Sequence, residues 1–191
     1  MFCSCGGGNS DKTETKSSAK VGNVEISQNK VEQRLNFNLV RNAAFRETVN
    51  SSFTDKQEIE KQLKNVILPE NKNDVLEELI DYQLIEKYLQ ENNLLKSFEE
   101  CKEQAKKEID NLKKDEAQNS FYKNLVKALK SSSLTENEFF EINYDFAYDY
   151  YNCLILKRNL NDNSSDSSEK QEQKFEDFVK QLRSKEKIEY K

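Results

Sequence analysis

The chain has 191 residues, 34% of them charged and 35% hydrophobic, with four glycines, one proline and no histidine. That length supports one domain with a real core, while so little Gly and Pro excludes a sandwich or barrel of many short strands and favours helices. The net charge of -5 and the lack of an Arg-rich stripe argue against nucleic acid as a partner, and without histidine the commonest general base and metal ligand are missing.

Residues 1–20 lack apolar periodicity and have the Gly, Ser, Thr, Lys and Asp composition of a disordered tether. Phe2-Cys3-Ser4-Cys5, followed by Gly6-Gly7-Gly8, resembles the end of a bacterial lipoprotein signal. Ser4 is then the small residue and Cys5 the lipidated one, which implies an extracytoplasmic protein held at the membrane by a lipid anchor. The basic and apolar parts of a signal peptide are missing from the sequence, so this reading expects a trimmed start. The alternative is a disordered tail with two free cysteines.

Residues 21–26 read as a short strand, with Gly22-Asn23 able to turn or bulge. Ser27 is expected to cap a helix running to about Asn50. Val31, Leu35, Leu39 and Phe45 lie along one side of it, with Phe37, Val40, Ala44 and Val49 beside them. Asn50-Ser51-Ser52 breaks this helix. Thr54 to Gln57 fits a capping box, opening a helix with Ile59, Leu63, Val66 and Ile67 that Pro69 ends. Residues 75–95, capped from Asn71 and Asp74, carry Val75, Leu76, Leu79, Ile80, Leu84, Ile85, Tyr88 and Leu89 at steps of three and four. This wide apolar stripe predicts a helix covered on more than one side, the central helix of the fold.

Ser97 to Glu100 and Thr135 to Glu138 are further capping-box matches. The first opens a charged helix to about Lys114 with a thin stripe of Ala105, Ile109 and Leu112. Phe121, Leu125, Val126 and Leu129 mark another amphipathic segment. The second box opens a helix carrying Phe139, Phe140, Ile142, Phe146, Tyr150, Cys153, Leu154 and Leu156. Residues 161–170 are a polar linker. Phe175, Phe178, Val179 and Leu182 mark a final helix, and the tail at 187–190 alternates like a strand. The expected fold is mainly α, a single domain of about six or seven helices over residues 21–191, with a short two-stranded β pairing between its N- and C-terminal ends. Cys101 and Cys153 are expected as buried thiols, a disulfide being the alternative in an oxidising compartment.

The order of these pieces resembles the N-terminal chaperone domain of the SurA and PrsA type of extracytoplasmic folding factor, related in form to part of trigger factor. Val21-Gly22-Asn23-Val24-Glu25-Ile26-Ser27 resembles the family's opening V-N-G-x-x-I-[ST], with Gly and Asn exchanged. Val75-Leu76-Glu77-Glu78-Leu79-Ile80-Asp81 with Leu84-Ile85 is similar to its central helix. Ser133-Leu134-Thr135-Glu136-Asn137-Glu138-Phe139 is similar to the start of its last long helix. Phe178, Val179, Leu182, Arg183, Lys187 and Ile188 are similar to its closing helix and strand. Family members often carry a parvulin prolyl-isomerase domain before that closing helix; here only the linker at 161–170 stands in its place. The resemblance therefore implies the chaperone half alone, without isomerase activity.

What this implies is a membrane-tethered, chaperone-like protein that holds unfolded or nascent exported polypeptides without ATP, cofactor or metal, and is not an enzyme. The alternative is a lipoprotein scaffold or adaptor for one protein partner of an envelope, secretion or sporulation machine. Tyr144, Tyr148 and Tyr151, with Phe140, are the candidate peptide-binding residues, since aromatics give large contact area at low entropic cost. Phe139, Phe140, Ile142, Phe146 and Tyr150 are expected to line the core. The competing reading makes the whole group core packing plus ordinary exposed tyrosines. Glu136, Glu138, Glu141, Asp145 and Asp149 read as a solvated face.

Overall fold

The computed structural model describes residues 17–64, 66–114, 119–161 and 166–191. Cys5 and most of the tether lie outside them. In chain order the described residues form β1 (Ser17–Val21), β2 (Val24–Ser27), α1 (Gln28–Ser52), α2 (Lys56–Lys64), α3 (Lys72–Glu91), α4 (Phe98–Lys114), α5 (Ser120–Lys130), α6 (Glu136–Asn161), α7 (Ser168–Lys185) and β3 (Ile188–Tyr190). The fold is mainly α, and strands from its two ends pair as expected.

The pairing is richer than a two-stranded one. Three antiparallel strands lie in the order β2-β1-β3. The stretch 21–26, read as one strand, is the turn and second arm of a hairpin. Gly22 turns the chain with φ 57, a left-handed conformation that glycine adopts without steric cost. The hairpin's first arm, β1, lies largely within the stretch assigned to the tether. Its buried Ala19 and Val21 are too few to make a readable period. Gly22 N–H donates to Lys187 O at 3.0 Å, and Lys191 N–H donates to Ser18 O at 3.1 Å, so main-chain bonds tie the two ends together.

Helix α3 is the central element. Val75, Leu79, Ile80 and Leu84 pack under the sheet with Ile26 and Val31. Ile85 and Leu89 pack with Cys153, Leu156 and Val179 of α6 and α7. Each fully buried Leu or Ile stabilises the fold by roughly 1.5–3 kcal/mol. A third cluster joins α1, α4, α5 and α6 through Phe37, Ile109, Leu125, Phe139 and Phe140. Phe37 stacks on Phe139 at a centroid distance of 4.7 Å.

The caps at Ser27 and Asn71 accept from Lys30 N–H and Asp74 N–H. The boxes Ser97–Glu100 and Thr135–Glu138 both close reciprocally. The start of α2 differs from the expectation: Asp55 Oδ1, not Thr54, accepts from Glu58 N–H at 2.9 Å. Helix α1 runs through Asn50-Ser51-Ser52 to its last residue, Ser52, and there the Thr48, Ser51 and Ser52 hydroxyls bond back to carbonyls one turn earlier. Helix α2 ends at Lys64, well before Pro69. Residues 66–70 form a non-helical strap over α1. Leu39 and Leu154, placed on apolar stripes by the sequence, are 43% exposed each. Cys101 and Cys153 are free, buried thiols.

Candidate functional site

Arg34, Asn38, Asn42 and Arg46 follow one another at intervals of four along α1, so their side chains stack on one face of the helix. The first three are buried. Arg34 pairs with Asp149 on α6, and its Nη1 lies 3.8 Å from Glu78 Oε2 on α3. Burial opposes the charge of Arg34, but Asp149, Tyr82 and Glu78 more than offset it and raise its pKa. Asp149 is therefore a core ion-pair partner and not part of a solvated face.

The lower rungs hold the strap at 66–70. Asn38 Nδ2 donates to Pro69 O at 2.9 Å. Asn42 Nδ2 donates to Leu68 O at 2.8 Å, and Asn42 Oδ1 accepts from Leu68 N–H at 3.0 Å. Arg41, one residue aside, donates through Nη1 to Val66 O at 2.7 Å. Arg46 meets both oxygens of Glu70, at 2.6 and 2.8 Å, and this bidentate pair lowers the Glu70 pKa. Three polar residues thus read the main chain of a non-helical segment. The regular four-residue spacing was visible in the sequence as a signal, but the binding partner was not.

Beside the strap a cleft of about 570 Å³ opens between α1, α4, α5 and α6. Rings dominate its wall, among them Phe45, Phe121, Phe139, Phe146 and Tyr150. Phe45 packs on Phe121 at 4.4 Å, and Phe146 stacks on Tyr150 at 6.0 Å with an interplanar angle of 13°. Arg41 stands at the edge, its guanidinium 4.4 Å from the Phe45 centroid and 5.5 Å from that of Phe146. Tyr82 and Tyr150 also line a second groove, of about 490 Å³, between α3, α6 and α7. The two hollows therefore share a wall.

The residues picked from the sequence divide. Phe140 and Tyr151 line the cleft, whereas Tyr144 and Tyr148 do not. Phe140 is buried in the core. Tyr144 is half-buried, with Lys102 Nζ 5.2 Å from its ring. Tyr148 braces α6 against α3, donating to Glu86 Oε1 at 2.9 Å, and Tyr151 braces α6 against α4, donating to Glu108 Oε1 at 2.7 Å. Burial, then the carboxylate partner, pushes both phenols up in pKa, so they act as neutral donors. Tyr150, assigned to the core, is instead 46% exposed; on a helix that also packs α4 and α7, its direction falls between the two packed faces.

Chemically the cleft offers ring faces, one cation and few other polar groups. Among the described residues no three Asp, Glu or Cys side chains converge as metal ligands. The arrangement suits non-covalent recognition of apolar groups. Comparison with protein-family models, with curated proteins and with solved structures finds no match to the chain.

Proposed function

We propose that the protein is a holding chaperone that binds unfolded or exported polypeptide segments in the aromatic cleft, without ATP and without covalent chemistry. The observation that carries this reading is the ring-lined cleft lying directly beside a helix face that already bonds main-chain groups of a non-helical segment. Rings accept apolar side chains of many shapes, and main-chain bonding is indifferent to sequence, so binding is weak and tolerant. The motif order described above implies the same activity. In this reading an acyl chain on Cys5 holds the domain at the outer face of a membrane, and a second acyl chain or similar signal is needed for firm anchoring.

The test is aggregation suppression. Two unrelated denatured proteins are diluted with and without the chain, and light scattering is followed. Suppression of both at near-stoichiometric amounts is expected; no effect on either sinks the reading.

A second reading, an adaptor for one protein partner, draws on the exposed Tyr150 and Leu154 at the second groove, which is rimmed by Asp81, Glu176, Lys180 and Arg183. A charged rim around an apolar centre favours selectivity. An adaptor ignores the unfolded proteins and retains a single envelope protein in a pull-down.

A further inference from the structure

Of the chain's five arginines, Arg34, Arg46 and Arg183 are ion-paired with carboxylates, and Arg158 is exposed. Arg41 differs from all of them. Two rings confine it, and its one hydrogen bond among the described residues goes to the Val66 carbonyl. Among the described residues no carboxylate lies within 4 Å of it, although Glu78 acts on it through space. Burial lowers its pKa to about 10, opposed by Tyr150, Glu78 and Tyr82, so at neutral pH it remains a cation, without a direct ion-pair partner among the described residues, on the wall of the cleft. A guanidinium has five N–H donors, and the bond to Val66 uses one.

We infer that the cleft captures the C-terminal residue of a polypeptide, with the α-carboxylate paired to Arg41 and the apolar side chain seated among the rings of Phe45, Phe121 and Phe146. This rests on the peptide-holding reading above and names the part of the client that is recognised. A planar guanidinium fork matches a carboxylate bidentately. The stacked rings keep that fork from swinging out, so little rotamer freedom is lost on binding.

The rest of the cleft selects among carboxylates. An internal Asp or Glu arrives with a peptide amide on each side, and each amide needs a partner in a lining whose uncharged polar side chains are Asn143 and three tyrosines. A C-terminal residue carries its carboxylate and its apolar group on the same carbon and removes one of those amides. Glu108 is the one carboxylate among the described lining residues. It accepts from Tyr151 and is not within ion-pair reach of Arg41, so it does not neutralise the site.

The experiment uses the full chain and a short fluorescein-labelled peptide ending in Leu-Val-Phe, prepared with a free C-terminal carboxylate and as the C-terminal amide, with binding read by anisotropy. A charge-assisted pair predicts that the free acid binds roughly 10- to 100-fold more tightly than the amide. Arg41→Met is expected to abolish the difference and Arg41→Lys to keep part of it, with urea unfolding confirming that each variant folds. Equal affinity of acid and amide for the wild-type chain overturns the inference and leaves the holding reading standing. Failure of both peptides, together with failure to suppress aggregation, removes both. Competition by free phenylbutyrate at the peptide's own affinity also overturns the inference, because the site is then one for small acids.

Discussion

Asn42 meets Leu68 as one strand residue meets another: its side-chain amide donates to the Leu68 carbonyl at 2.8 Å and accepts from the Leu68 N–H at 3.0 Å. An amide side chain on a helix thereby stands in for a missing β-neighbour. The strap that leaves α2 cannot satisfy these groups itself, since Pro69 denies helix to the residue before it and has no N–H to give.

Asn42→Ala strands both polar groups of Leu68 and removes a third bond, to Glu70. Unsatisfied buried groups cost roughly 1–3 kcal/mol each, so the expected loss is about 2–4 kcal/mol. The urea midpoint falls while the m-value stays constant. A loss under about 0.5 kcal/mol means the strap is dispensable to the fold.

The Arg34–Asp149 pair calls for a double-mutant cycle. Either partner removed alone leaves a buried charge, at a cost of about 3–5 kcal/mol. Arg34→Met with Asp149→Leu together is expected to cost clearly less than the sum of the two single changes. Simple additivity in urea unfolding denies the coupling.

Glu78 and Glu70 give opposite pH dependences. Burial raises the Glu78 pKa above its ordinary 4.5, opposed by Arg34 and Tyr82, with Asp149 and Asp81 adding to the rise. A raised carboxyl contributes stability below its unfolded pKa and loses it as pH rises through the folded value. Glu78→Gln is therefore expected to gain stability over the wild type as pH rises above about 4.5, and then to level off. Glu70 is lowered by its bonds to Arg46, so Glu70→Gln is destabilised at neutral pH, and that deficit disappears as pH falls below about 4.5. Urea midpoints across this range check both signs; parallel curves for the two variants contradict them.

Tyr150 and Tyr148 separate binding from structure. Tyr150 is exposed and lines both hollows, so Tyr150→Ser is expected to weaken peptide binding severalfold while stability changes by less than about 0.5 kcal/mol. Tyr148→Phe removes the bond to Glu86 and is expected to cost about 1 kcal/mol with peptide affinity unchanged. Anisotropy titrations beside thermal melts decide it, and the reverse pattern moves the binding surface away from the cleft.

The sequence by itself determined what local physics controls. The stripe on α3, the boxes at Ser97 and Thr135, and the caps at Ser27 and Asn71 depend on neighbours three or four residues away, and each forms where the pattern placed it. It also carried the helical class and the meeting of the two ends. Tertiary structure alone decided the rest. Ala19 and Val21 make a strand only because β2 and β3 flank them. Asp149 looks like any helix-surface acid until Arg34, far away in the chain, faces it. Tyr150, expected in the core, is exposed because α6 packs several neighbours at once, and the burial of each residue is set by which neighbour its direction meets. The spacing of Arg34, Asn38, Asn42 and Arg46 puts them on one face of α1, but only the folded chain could bring the strap against that face and leave Arg41 without an ion-pair partner among the described residues. A pattern along the chain records which residues share a face; what that face meets depends on contacts between residues far apart in sequence.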